Sequence, residues 1–146
     1  MIRSLLLIGL GGFIGSVCRY LTTIYFNRLF PIPFPYGTFA VNILGCFAIG
    51  LLFGFSEKIS WFNHEWRLFM IIGFCGGYTT FSSFAYENML LLKQGQYNVF
   101  MLYTLLSVVL GLAAVWIGLI IAKGWSVHLS CCLLCHRGRS LTLSYL

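Results

Sequence analysis

Four apolar runs dominate this chain: Leu5 to Phe26, Tyr36 to Phe55, Leu68 to Leu92 and Val99 to Ala122. Each is long enough to cross a bilayer, which takes about 20 helical residues. Inside hydrocarbon every backbone N–H and C=O must be paired within its own segment, so each run is predicted to be a helix. Only 8% of the 146 residues are charged, against about 25% in a soluble domain. The runs leave no room for a soluble catalytic domain. The expectation is an all-α, multi-pass membrane protein with four transmembrane helices over residues 1–124. A tail at 125–146, of unknown role, is expected to be poorly ordered.

One stretch is not built only to span. Gly73 to Phe84 reads GFCGGYTTFSSF and combines three glycines, the hydroxyls of Thr79, Thr80, Ser82 and Ser83, and two phenylalanines three apart. Each glycine weakens a helix by about 1 kcal/mol relative to alanine. The third helix is therefore predicted to break near its middle, exposing backbone and hydroxyl groups to an ion. A backbone opened at that depth must find partners in protein or in a wet cavity.

The other runs supply polar residues at helical spacing. Gly11 and Gly15 in the first have the spacing that lets helices approach closely. Arg19 lies at membrane depth, where an arginine faces a partner or water, as in a pore vestibule, or snorkels to the headgroups. In the second run Thr38, Asn42 and Gly45 share one helical face. Asn42 is read either as an interhelical hydrogen bond or as a pore amide donating to an anion. Glu87 is the only acid within any run, and its spacing puts it near the far end of the third helix. It is read as an exposed helix-end carboxylate or as part of a pore vestibule. Tyr103, Ser107 and Gly111 recur four apart in the fourth run. Tyr103 can belong to the interfacial belt and Ser107 can bond its own helix, or the two can form a polar track.

The connections and the tail are less informative. Asn27 to Pro35 holds all three prolines and reads as a stiff, irregular link. Ser56 to Arg67 is the most polar loop, with Trp61 and Trp66 as interface anchors and His64 solvated. Cys18, Cys46 and Cys75 act as small hydrophobes within spans. In the tail, Cys131, Cys132, Cys135, His128 and His136 offer ligand types for zinc, and CLLCH matches a haem-attachment pattern. So short a pattern arises easily by chance, and no haem domain surrounds it. At the start, the apolar run passes Ser16 with no A-x-A site, which favours a span over a signal peptide.

The net charge of +6 suits anionic headgroups. It does not indicate nucleic acid, because no basic patch with stacking aromatics accompanies it. Outside the spans, Arg3, Lys58, Arg67, Lys123, Arg137 and Arg139 fall on one side, and Arg28 and Lys93 on the other. Without the tail arginines this is a weak vote for both ends cytoplasmic, and such a chain can insert both ways. Four helices make a thin bundle for a pore, so an oligomer is expected.

Three blocks, GGFIGSVCRY (Gly11–Tyr20), YGTFAVNILGCFAIG (Tyr36–Gly50) and GFCGGYTTFSSFAYE (Gly73–Glu87), resemble the signature blocks of the Fluc, or CrcB-type, fluoride channels. Order, spacing and hydropathy match over about residues 2 to 124. The resemblance implies an antiparallel, dual-topology homodimer in the bacterial inner membrane, with two pores that passively export fluoride and relieve its toxicity. It implies a structural sodium ion on the two-fold axis, held by the backbone carbonyls of Gly76 and Thr79 from each protomer. It assigns the fluoride pore to Asn42, Phe81, Phe84, Tyr103 and Ser107. Some family members continue the polar track with a serine where this chain has Gly111. Residue chemistry is compatible, since amide and hydroxyl groups can donate to fluoride and a ring edge is electropositive.

Two other classes compete. A small four-helix multidrug or cation transporter needs a membrane carboxylate to exchange protons, and only Glu87 is available. An assembly scaffold needs only small-residue faces and leaves the converging Asn, Thr, Ser and Phe residues unused. No nucleophile–base pair lies at common depth, so an enzyme is not expected.

Overall fold

The computed structural model describes residues 1–30, 34–56 and 62–139, with side chains described up to residue 124. All regular structure in it is helical. Helix α1 covers Ile2–Leu29 and α2 covers Tyr36–Ser56. The third span is composite. Asn63 starts it, its side chain accepting from the N–H groups of Glu65 and Trp66, which are donors a helix start leaves unpaired. It then runs through α3 (His64–Arg67), a π-helical segment (Leu68–Cys75), α4 (Gly76–Tyr78) and, after a break, α5 (Phe81–Lys93). A turn with Gly95 at φ 71° leads into α6 (Tyr97–Arg139). Among the described residues, four stretches are long and apolar enough to cross a membrane: Ile2–Leu29, Tyr36–Ser56, His64–Lys93 and Tyr97–Gly124.

The first, third and fourth spans run one to four residues beyond their apolar runs at each end, and the second by one residue. The chain at His64–Arg67, read above as loop, is the first turn of the third span, because the Asn63 cap starts the helix there. Pro31, Pro33, Lys58 and Trp61 lie outside the described residues, as do the side chains of His128, Cys131, Cys132, Cys135 and His136.

The third span does break, but not at its glycines. Gly76 is right-handed helical at φ −63° and ψ −38°. The helix ends at Thr79 (ψ 156°) and Thr80 (φ −147°, ψ 116°), both extended. Threonine is stiff and favours extended backbone. The Thr80 hydroxyl then caps α5 by accepting from the Ser83 N–H at 3.2 Å.

Gly73 and Gly77 serve packing instead, against the α1 backbone. A Cβ on Gly77 would come within 2.5 Å of the Gly12 carbonyl oxygen, so α1 and α4 meet backbone to backbone. Gly77→Ala is expected to cost about 1–3 kcal/mol through this overpacking. A lower midpoint in thermal unfolding of the detergent-solubilised protein would register it.

α1 packs mainly on the π-helical segment and α4, while α2 packs mainly on α6. At one end of the bundle, Arg3 reaches Glu65 at 2.9 Å, joining the first span to the start of the third. Among the described residues, Tyr103, Val41 and Cys75 are the largest fully buried side chains. Phe13, Tyr20 and Trp116 are among many large apolar residues left on the outside. Such a surface suits hydrocarbon, where apolar side chains need no cover.

Candidate functional site

The break is held from the side by α2. Asn42 donates through Nδ2 to the Thr80 carbonyl at 3.0 Å and accepts from the Thr80 N–H at 2.9 Å through Oδ1. Its amide thus stands in for a peptide group on a neighbouring strand. Of the two readings open from sequence, the geometry makes the interhelical bond. The Thr79 N–H and hydroxyl both return to the Cys75 carbonyl, at 3.0 and 2.9 Å. In an uninterrupted helix the Thr80 N–H would pair with the Gly76 carbonyl. Here it goes to Asn42, and the Gly76 carbonyl is released. One turn on along α2, Gly45 leaves room for the Thr79 methyl against its backbone.

A second group lies beyond the break. Glu87 accepts from the Thr38 hydroxyl at 2.6 Å and from the Tyr103 hydroxyl at 2.8 Å. It ties α2, α5 and α6 together through one half-buried carboxylate and is not an exposed helix end. Tyr103 is fully buried and Thr38 almost so, which removes Tyr103 from the interfacial belt. The Thr38, Asn42 and Gly45 face of α2 therefore meets Glu87, Thr80 and Thr79 in turn.

The aromatic residues sit beside this group. The Phe84 ring lies 5.0 Å from that of Tyr103, and Phe81 lies 5.9 Å from Phe84. Phe84 is half-buried, whereas Phe81 is 80% exposed in the single chain. One turn along α6 from Tyr103, the Ser107 hydroxyl is buried and unpaired among the described residues. At the next turn a Cβ on Gly111 would sit 3.6 Å from the Cys46 sulfur, so that position has no hydroxyl and a thiol stands opposite. Arg19 is half-buried on α1 and is not drawn into the Glu87 group.

The sequence reading missed Asn88 and Thr104. Asn88 is buried, donates to the Phe84 carbonyl at 2.9 Å and accepts from the Thr104 hydroxyl at 2.9 Å. The available signal was adjacency: Glu87–Asn88 and Tyr103–Thr104 are neighbouring polar pairs in otherwise apolar runs.

Chemically, the site offers the Asn42 amide on α2, hydroxyl donors on α5 and α6, and a freed carbonyl at the break. Among the described residues no group of three or more His, Cys, Asp or Glu is placed to hold a metal.

The family described as CrcB-like protein, Camphor Resistance (CrcB), matches this chain over residues 6–119. The chain belongs to that family. The match covers Asn42, the break, Glu87 and Tyr103. A relative from Flavobacterium psychrophilum, named fluoride-specific ion channel FluC, is 51% identical over 121 residues, covering 83% of this chain and 98% of its own. Relatives of the same name from Campylobacter lari and Azobacteroides pseudotrichonymphae are 45% and 44% identical. They match over 84% of this chain, and over 100% and 98% of their own lengths. With its four apolar spans, this CrcB family member is a multi-pass protein of the bacterial inner membrane.

Proposed function

We propose that this CrcB family member is a fluoride-selective channel that lets fluoride leave the cytoplasm passively and so relieves fluoride toxicity. The observation that supports it best is that relatives named as fluoride channels are matched over nearly their whole length by the part of the chain that contains the pinned break. The working unit in this reading is an antiparallel, dual-topology homodimer with two pores. Phe81, mostly uncovered in one chain, would then lie at a path completed by the second protomer. Fluoride is small and strongly hydrated, so the pore must replace water with donors. Ser107 has an uncommitted buried hydroxyl for this. Asn42 spends one N–H on Thr80 and retains the other. The edges of Phe81 and Phe84 offer positive potential.

The residues at the break fit a structural sodium ion. The Gly76 carbonyl has lost its helical partner, and Thr79 sits in extended backbone. Carbonyl oxygens at such a break are suited to a hard monovalent cation. When bound, the ion would satisfy these dipoles and add positive potential near the anion path. Asn42 does the work on the protein side, because it keeps Thr80 N–H away from Gly76.

The cation-transporter reading needs a carboxylate free to exchange protons. Both oxygens of Glu87 accept hydrogen bonds, which favours the channel.

Purified protein in liposomes is expected to release internal fluoride electrically when potassium with valinomycin balances the charge, as read by a fluoride electrode. Chloride release with no fluoride release would refute the assignment.

A further inference from the structure

Breaking the third span has a mechanical consequence for α5. With Thr79 and Thr80 extended, helical continuity no longer fixes how α5 is rolled about its axis. At its other end a turn containing Gly95 joins it to α6. Its roll must be set by lateral bonds. Thr38 on α2 and Tyr103 on α6 both bond the same residue, Glu87, and so hold α5 at one point on its circumference. Asn88 is the next residue and projects about 100° around the helix from Glu87. Its bond to Thr104, the α6 neighbour of Tyr103, is a second attachment at nearly the same height but at a different point on the circumference of α5. Its other bond runs to the carbonyl of Phe84, one turn back.

We propose that Asn88, clamped to Thr104, is a positioning residue for the permeation path: it sets the roll of α5 and thereby the direction in which Phe84, and Phe81 one turn before it, present their rings. The clamp supports the Phe84–Tyr103 contact at 5.0 Å without itself touching the ion. This rests on the channel reading given above, which supplies the path those rings face.

Thr104→Val removes the hydroxyl while keeping the shape, Thr104→Ser keeps the hydroxyl, and Asn88→Leu removes the other partner. In liposomes Thr104→Val and Asn88→Leu are each expected to lower fluoride flux per channel about tenfold, the worth of one buried hydrogen bond. Both should lower the fluoride-to-chloride permeability ratio. Thr104→Ser should match the unaltered protein, and the double variant should be no worse than the worse single one. A purely structural role would reduce folded protein and leave the ratio intact. The second readout needs no transport: a fluorine-labelled phenylalanine at position 84 should give one 19F line, unchanged in Thr104→Ser and shifted or doubled in Thr104→Val. An unchanged ratio or an unmoved 19F line in Thr104→Val overturns the proposal. Absence of fluoride flux in the unaltered protein refutes the channel reading instead, and the 19F line still decides whether Asn88 and Thr104 position Phe84.

Discussion

Asn42→Leu is expected to destabilise the protein more than any other single substitution of a polar residue in the spans. Leucine fits an apolar span by composition, so hydropathy alone would call the change neutral or favourable. The geometry says otherwise. Both backbone groups of Thr80 are paired with the Asn42 side chain, at 2.9 and 3.0 Å, and Thr80 is 7% exposed. Leucine would leave a donor and an acceptor unpaired at membrane depth, at about 1–3 kcal/mol each. The expected result is loss of the folded protein on size-exclusion chromatography, or a large drop in its unfolding midpoint. Asn42→Asp retains only the acceptor and should fall between the two. A leucine variant as stable as the parent would show that the break is held by something other than Asn42.

The second large effect is expected at Glu87, and it is chiefly functional. Glu87→Leu strands the Thr38 and Tyr103 hydroxyls, which are 4% and 0% exposed. If about 3 kcal/mol of that loss appears in the permeation barrier, flux falls about 100-fold. Glu87→Gln separates hydrogen bonding from charge. A glutamine can accept from one hydroxyl and donate to the other, so the three helices stay tied. Its flux is expected to stay within about tenfold of the parent, a barrier change of about 1.4 kcal/mol. Fluoride efflux from liposomes, normalised to reconstituted protein, measures both. Equal flux from the leucine variant would remove Glu87 from the site, and a dead glutamine variant would make the negative charge itself essential.

Much of the architecture was legible in the order of residues, for a reason peculiar to membranes. Hydrocarbon gives a backbone no outside partner, so an apolar run of sufficient length has little choice but to be a helix. The four runs became the four spans, and spacing placed Thr38, Asn42 and Gly45 on one face of α2; assigning Asn42 and the paired phenylalanines to a pore took the family resemblance. Local propensity misled at one point. Gly76 and Gly77 looked like the place where the third helix opens, yet both stay helical. Packing holds Gly77 against the backbone of α1, whereas nothing packs within 4 Å of a Cβ position on Gly76. The opening moved to two threonines whose backbone found other partners.

The sequence by itself determined that this chain spans a membrane four times, that its third span is interrupted, and which polar residues stand at membrane depth. Those facts follow from length, hydropathy and helical period, which are local. Only the tertiary structure decided what those polar residues bind: Asn42 to Thr80, Glu87 to both Thr38 and Tyr103, Asn88 to Thr104. A side-chain hydrogen bond between helices depends on their relative height and roll. The packing of glycine faces and the break itself set these, and no window of sequence contains them.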